Sequence, residues 1–328
     1  MDIFLQQIIN GLTLGAVYAV VALGYTMVYG IIQLINFAHG EVVMIGAMVA
    51  FTVIQALAPT GLPPLAVVLI GTVCATLVCI LVGWSVERLA YRPLRRAPRL
   101  APLISAIGVS IILQHLALMV WSRNVLAFPQ IIETRTWVIG GARISNVQIA
   151  ILVICVAIMA GLALLVYRTR LGTAMRATAQ NPQVAGLMGV DINKVIGATF
   201  VIGAGLAAIA GVMVGSYYGI AQYTMGSILG MKAFAAAVLG GIGNIPGAML
   251  GGVLLGVVEA LGAGYIGDLT DLCRWGPVGG WIGERCADGG HFILFGSNYQ
   301  DVFAFVVLIL VLVLRPSGLL GERVGDRA

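Results

Sequence analysis

The sequence predicts an all-α membrane protein, a polytopic bundle of about eight to ten transmembrane helices with some short or discontinuous segments. Three observations predict it. The chain is 60% hydrophobic and 9% charged over 328 residues, with a mean hydropathy of +1.03. A soluble domain carries about 25% charged residues, and lipid is the solvent that removes that need. The apolar residues fall in runs of about 20 or more, the length that crosses a bilayer, and short Arg-rich loops separate the runs. The 44 glycines fit the same class, because small residues let membrane helices approach closely.

The first run holds no Asp, Glu, Lys or Arg from Ile3 to Gly40. It exceeds one span, so a first helix is placed at about 4–30 and a second at 37–57, ending before Pro59, Pro63 and Pro64. With Asp2 as the only early charge and no basic n-region, the first run reads as a retained span and not as a cleavable signal. Further spans are placed at 65–86, 101–121, 146–167 and 195–216. The segment 226–264 fits two short crossings broken at Ile245-Pro246-Gly247, and a last span covers 299–315. That is nine crossings, with eight or ten possible, within one transmembrane domain, 1–328.

Loop 87–100 carries Arg88, Arg92, Arg95, Arg96 and Arg99, loop 168–194 carries Arg168, Arg170, Arg176 and Lys194, and the tail carries Arg315, Arg323 and Arg327. The positive-inside rule puts these three regions in the cytoplasm and loops 122–145 and 265–301 outside. The N-terminus is then periplasmic and the C-terminus cytoplasmic. The net charge of +5 follows from these loops and does not indicate nucleic-acid binding.

Cys74, Cys79 and Cys155 lie inside apolar runs and read as small core residues. Cys273 and Cys286 lie in the extended outer segment 265–298, assigned to an oxidising compartment, and are expected to form a disulfide worth about 3 kcal/mol by loop closure. The spacings Gly11/Gly15, Gly211/Gly215, Gly247/Gly251 and Gly252/Gly256 suit tight helix packing, although so many glycines produce such pairs by chance.

The chemistry is sparse. Only two lysines occur, Lys194 and Lys232, and neither belongs to a P-loop, so ATP is not bound here by that route. No G-x-S-x-G or H-E-x-x-H occurs, which argues against an intramembrane enzyme. Three charges interrupt apolar runs: Glu41, Lys232 and Glu259. A charge at the bilayer centre costs at least ~2.5–3.5 kcal/mol on insertion scales. Each therefore sits at a helix end, in a Lys–Glu pair joining two helices, or on the polar lining of a path. Lys232 with Glu259 is the candidate pair. His39 beside Glu41 is too poor a ligand pattern for a metal site. Asn36 through Gly40 and Gly240 through Gly247 both break apolar runs. Each is either a turn at the membrane surface or irregular backbone lining a cavity. The candidate path residues are Asn36, His39, Glu41, Lys232, Asn244 and Glu259.

Loop 168–194 has a broken amphipathic pattern: Leu171, Met175 and Ala179, then Val184, Leu187 and Met188. Asn181-Pro182 marks a turn, and Pro182 suits the first turn of a second short helix. Such a segment either fits a groove on a partner or lies on the membrane surface.

That loop and the two breaks resemble the high-affinity branched-chain amino acid permeases of bacterial ABC importers, of the LivH type. The other matching stretches are Asn10-Gly-Leu-Thr-Leu-Gly-Ala-Val-Tyr18, Gly24-Tyr-Thr-Met-Val-Tyr-Gly30, Ile35-Asn-Phe-Ala-His-Gly-Glu41, Glu87-Arg-Leu-Ala-Tyr-Arg-Pro93, Ile104-Ser-Ala-Ile-Gly108 and the run Gly230 through Ala248. The resemblance implies an inner-membrane permease that moves Leu, Ile and Val by alternating access. It also implies a partner permease of the LivM type, two cytoplasmic ATPase subunits that hold the ATP and Mg, and a periplasmic binding protein. This chain itself would need no cofactor. The family's coupling role falls by match on Leu171, Gly172, Met175, Arg176, Ala177, Asn181, Pro182, Leu187 and Met188. The 265–298 segment is longer than the family usually carries. A urea or short-amide importer permease is the nearby alternative, and an ATP-independent secondary transporter the distant one, disfavoured by the coupling-like loop.

Overall fold

Among the described residues of the computed structural model (2–95, 97–98, 100–266 and 300–321), nine apolar helices coincide with the predicted apolar runs. They are α1 (Asp2–Ile32), α2 (His39–Leu57), α3 (Pro64–Val86), α4 (Leu100–Val120), α5 (Asn146–Arg168), α8 (Ile192–Tyr218), α9 (Met225–Gly240), α10 (Ile245–Leu261) and α11 (Gln300–Leu314). Between α5 and α8 lie two short polar-faced helices, α6 (Arg170–Gln180) and α7 (Pro182–Leu187). Seven of the apolar segments are long enough to span a membrane, while Met225–Gly240 and Asp301–Leu314 are shorter. The chain is an all-α, multi-pass membrane protein. The segment 267–299, with Cys273 and Cys286, lies outside the described residues, as do Arg96 and Arg99.

The core forms where glycine removes side chains from facing helices. Gly11 and Gly15 of α1 meet Gly252 and Gly256 of α10, so two of the small-residue pairs read from sequence face each other. A Cβ added at Gly15 would lie 2.7 Å from the Val253 Cα, and one at Gly11 2.7 Å from the Val257 Cα. Gly211 packs on Val43 and Ala47, and Gly46 packs on Ala208, closing α2 onto α8. Helices α1 and α8 are central, with 78% and 67% of their spanning windows buried, whereas α4 is peripheral at 11%.

The loops fall on two faces. On one, strand β1 (Leu126–Ala127) pairs with β4 (Ile220–Ala221), and Gln6 near the N-terminus exchanges hydrogen bonds with the Arg143 backbone. On the other, Arg95 donates to Asn193 at 2.7 Å, the Tyr91 hydroxyl reaches the Ile35 carbonyl at 3.2 Å, and Leu319 N–H donates to Leu239 O at 2.9 Å.

Three features depart from the sequence reading. Loop 122–145 contains a hairpin, β2 (Thr136–Ile139) with β3 (Ala142–Ser145), turned by Gly140 and Gly141 at φ +58° and +87°. Two successive residues of positive φ suit a two-residue hairpin loop. The α9–α10 break lies at 241–244, ahead of the expected Ile245-Pro246-Gly247. Asn244 caps α10 and Pro246 sits within its first turn, where a missing N–H costs nothing. Finally, a π-helical turn, Glu87–Tyr91, ends α3.

Candidate functional site

The structure places the first break inside the bundle. After α1 the chain turns through Gln33 and re-enters, and α2 begins at His39. His39 is 2% exposed and packs against Gly24, where an added Cβ would lie 2.4 Å from its Cε1. It also faces Gly203, eleven residues or about 16 Å into α8. The α2 N-terminus therefore starts near the middle of α8 and not at its end. Helix α9 starts at the same level: a Cβ on Gly40 would lie 2.9 Å from the Gly230 Cα, and one on Gly226 would lie 2.6 Å from Glu41 Oε2. Two helix N-termini, neither capped by a side chain, converge there.

Glu41 lies between them, 1% exposed. Its Oε1 accepts from Ser227 at 2.7 Å and from Ser110 at 3.3 Å, and Gln114 donates to Ser227 at 3.4 Å. Its Oε2 accepts no hydrogen bond from any described residue. A fixed positive partial charge at a helix N-terminus offsets part of the cost of an unpaired carboxylate. Asn36 braces the turn that precedes α2. Its carbonyl accepts from His39 N–H at 3.0 Å, its Oδ1 accepts from Ala38 N–H at 3.2 Å, and Tyr91 holds it from α3 at 3.3 Å.

The other two charges meet elsewhere. Lys232 of α9 donates to Glu259 of α10 at 2.7 Å and to the Tyr18 hydroxyl at 3.3 Å. Tyr18 donates to the second Glu259 oxygen at 3.0 Å, and Asp301 of α11 forms an ion pair with Lys232 at 2.5 Å. Both Glu259 oxygens are thus occupied, and four helices are tied together. Asn244 belongs to neither group. It caps α10 through Gly247 N–H and donates to Leu320 O at 2.7 Å, fastening the chain after α11 over the α9–α10 turn.

On the Arg-rich face, α6 and α7 form the hairpin expected from Asn181-Pro182, with Asn181 accepting from Gln183 and Val184 N–H. Leu187 and Met188 are 87% and 81% exposed, and Leu171 and Val184 are also exposed. Met175, expected to face outward, is 3% exposed. With Gly172 it points into the packing of α6 on α1, α5 and α8, because the shorter helix must bury one face to stay fixed. Ala177 is half-buried, while Arg176 stacks its guanidinium over Tyr167. Asp191 caps α8, and the Lys194 N–H donated to it holds its carboxyl below the usual range.

Sequence reasoning did not single out Ser110, Ser227, Tyr18 or Asp301. A hydroxyl in a membrane helix usually satisfies itself on its own backbone, so nothing in the sequence marks the two serines that reach across helices instead.

Residues 7–312 match the family described as branched-chain amino acid transport system / permease component. The chain is 46% identical over 325 residues to the high-affinity branched-chain amino acid transport system permease protein BraD of Pseudomonas aeruginosa, covering 97% of this chain and 96% of that protein. It is 43% identical, with the same coverage, to the corresponding protein LivH of Escherichia coli K12. A probable LivH of Methanocaldococcus jannaschii is 27% identical over 205 residues, 58% of this chain and 59% of that one. No solved structure matches. Since the match runs through the whole helical bundle, both breaks and the α6–α7 hairpin, the chain belongs to the family of branched-chain amino acid transport system permease components.

Proposed function

We propose that this chain is the membrane-spanning permease subunit of an ATP-driven importer for Leu, Ile and Val, working by alternating access. The observation that carries this reading is similarity along nearly the full length of relatives named for that transport. ATP and Mg bind in two cytoplasmic ATPase subunits, because this sequence has no P-loop of its own. A homologous LivM-type permease completes the path, and a periplasmic binding protein delivers the amino acid. The Arg-rich face is cytoplasmic, the N-terminus periplasmic and the C-terminus cytoplasmic. In intact cells, a cysteine replacing Arg96 then escapes an impermeant label that reaches one replacing Asn124, and the reverse pattern inverts the orientation.

The α6–α7 hairpin is the ATPase docking element. Its exposed Leu187 and Met188 supply apolar anchors for a groove. Leu187→Glu places a charge at an exposed position, so the permease still folds, while the ATPase is released or its hydrolysis is uncoupled from uptake. The assay is ATP-dependent uptake of labelled leucine by the reconstituted complex, with urea as competing cargo. Wild-type uptake and co-purification of the variant would move docking to loop 87–100. Competition by urea, or uptake without ATP, would displace the main reading.

A further inference from the structure

Three buried carboxylates lie among the described residues: Glu41, Glu87 and Glu259. Glu87 pairs with Arg95 and Glu259 with Lys232, while Glu41 has no basic partner among them. A buried carboxylate is costly unless paired and hydrogen-bonded. Here two hydroxyls occupy Oε1, and Oε2 keeps its whole acceptor capacity at the level where α2 and α9 begin. Both hydroxyls are half-buried, and Gln114 of α4 donates to Ser227 of α9 at 3.4 Å, joining the two helices beside Glu41. Ile107 and Ile111 of α4 and Ile228 of α9 neighbour the two serines along these helices and are 42%, 52% and 48% exposed.

A group that completes this site needs hydrogen-bond donors, and a cationic one would also offset the buried carboxylate's charge. A primary ammonium has three donors and no acceptor. We infer that Glu41 is the ammonium subsite of the path for an α-amino acid, its Oε1 held by Ser110 and Ser227. This rests on the transporter reading above and adds the residue that recognises the amine. Ser110 and Ser227 act as positioning residues that hold Oε1 and leave Oε2 to the substrate.

The experiment measures binding of labelled leucine to the assembled permease–ATPase complex in detergent, without binding protein. Leucinamide, which keeps the ammonium and lacks the carboxylate, is expected to compete, and 4-methylpentanoate, which lacks the ammonium, is not. Glu41→Gln is expected to weaken leucine binding about tenfold or more, the scale of a charge-assisted hydrogen bond, in a complex that still assembles and melts normally. Glu41→Asp should recover part of the loss. A second measurement does not depend on Glu41 variants: leucine should slow alkylation of Ile228→Cys, read at that peptide by mass spectrometry. Unchanged leucine binding by Glu41→Gln, competition by 4-methylpentanoate equal to that by leucinamide, or no protection of Ile228→Cys would each overturn the assignment. Uptake by the wild-type complex separates the two readings. Leucine uptake with no Glu41→Gln defect sinks only this subsite, and absence of leucine uptake sinks both.

Discussion

At the seam of α1, α9, α10 and α11, Glu259 meets a lysine at 2.7 Å and a tyrosine at 3.0 Å, and both its oxygens are in use. At the junction of α2 and α9, Glu41 meets two serines and no cation, and one oxygen is left over. Both acids are at most 1% exposed. The difference lies in completion. The first cluster satisfies itself, ties four helices and has nothing left to offer a ligand. The second has capacity in reserve, and it stands where two helices start. A charge in an apolar run is therefore a tie or a site according to whether its partners already stand in the fold.

The comparison can be broken most severely at the lysine. Lys232→Met should cost about 3–5 kcal/mol, because it leaves Glu259 buried and unpaired. Thermal or denaturant unfolding of the purified permease measures it. Adding Glu259→Met should recover most of that loss, since replacing a whole buried pair by apolar groups is often neutral. Additive losses in the double-mutant cycle would remove the pair from the account.

A smaller effect is expected at the open site. Ser227→Ala removes the 2.7 Å donor to Glu41 and should cost about 1–2 kcal/mol. Its uptake should fall more than its stability does, and a loss of stability with uptake intact would make the serine a fastener. Next comes Asn244→Ala, expected to cost about 1 kcal/mol as a lost helix cap while leaving leucine affinity unchanged. A shift in apparent leucine affinity would place Asn244 on the path. The smallest stability change belongs to Glu41→Gln. The amide oxygen still accepts from the serines and no paired cation is orphaned, so unfolding should move by under about 1 kcal/mol. A loss as large as that of Lys232→Met would show Glu41 to be a structural tie after all.

Much of the bundle was legible because the information is local. An apolar run of about 20 residues declares a span wherever it falls, and the observed helices begin and end within a few residues of the runs. Asn181-Pro182 is equally local, and the α6–α7 hairpin turns there. The Gly140-Gly141 hairpin was missed although its signal is also local, since the loop was read for charge and not for alternation. The two breaks looked alike in sequence, yet one lies at the foot of α10 under the fold-back after α11, and the other starts α2 halfway along α8.

The sequence by itself determined that this chain lives in lipid, where its apolar helices run, which loops share a charge, and which few polar residues require an explanation. Hydropathy and charge are properties of short stretches, and the bilayer acts on each stretch separately. Only the tertiary structure decided which of those polar residues meet. Glu259 finds Lys232 across 27 positions and Tyr18 across 241, and Glu41 finds Ser110 across 69 and Ser227 across 186. Such distances are closed by glycine-lined contacts between helices, such as Gly11 and Gly15 on Gly252 and Gly256. The depth at which a helix starts follows from that packing, because close-packed backbones fix the register of one helix against another whatever the length of its own apolar run.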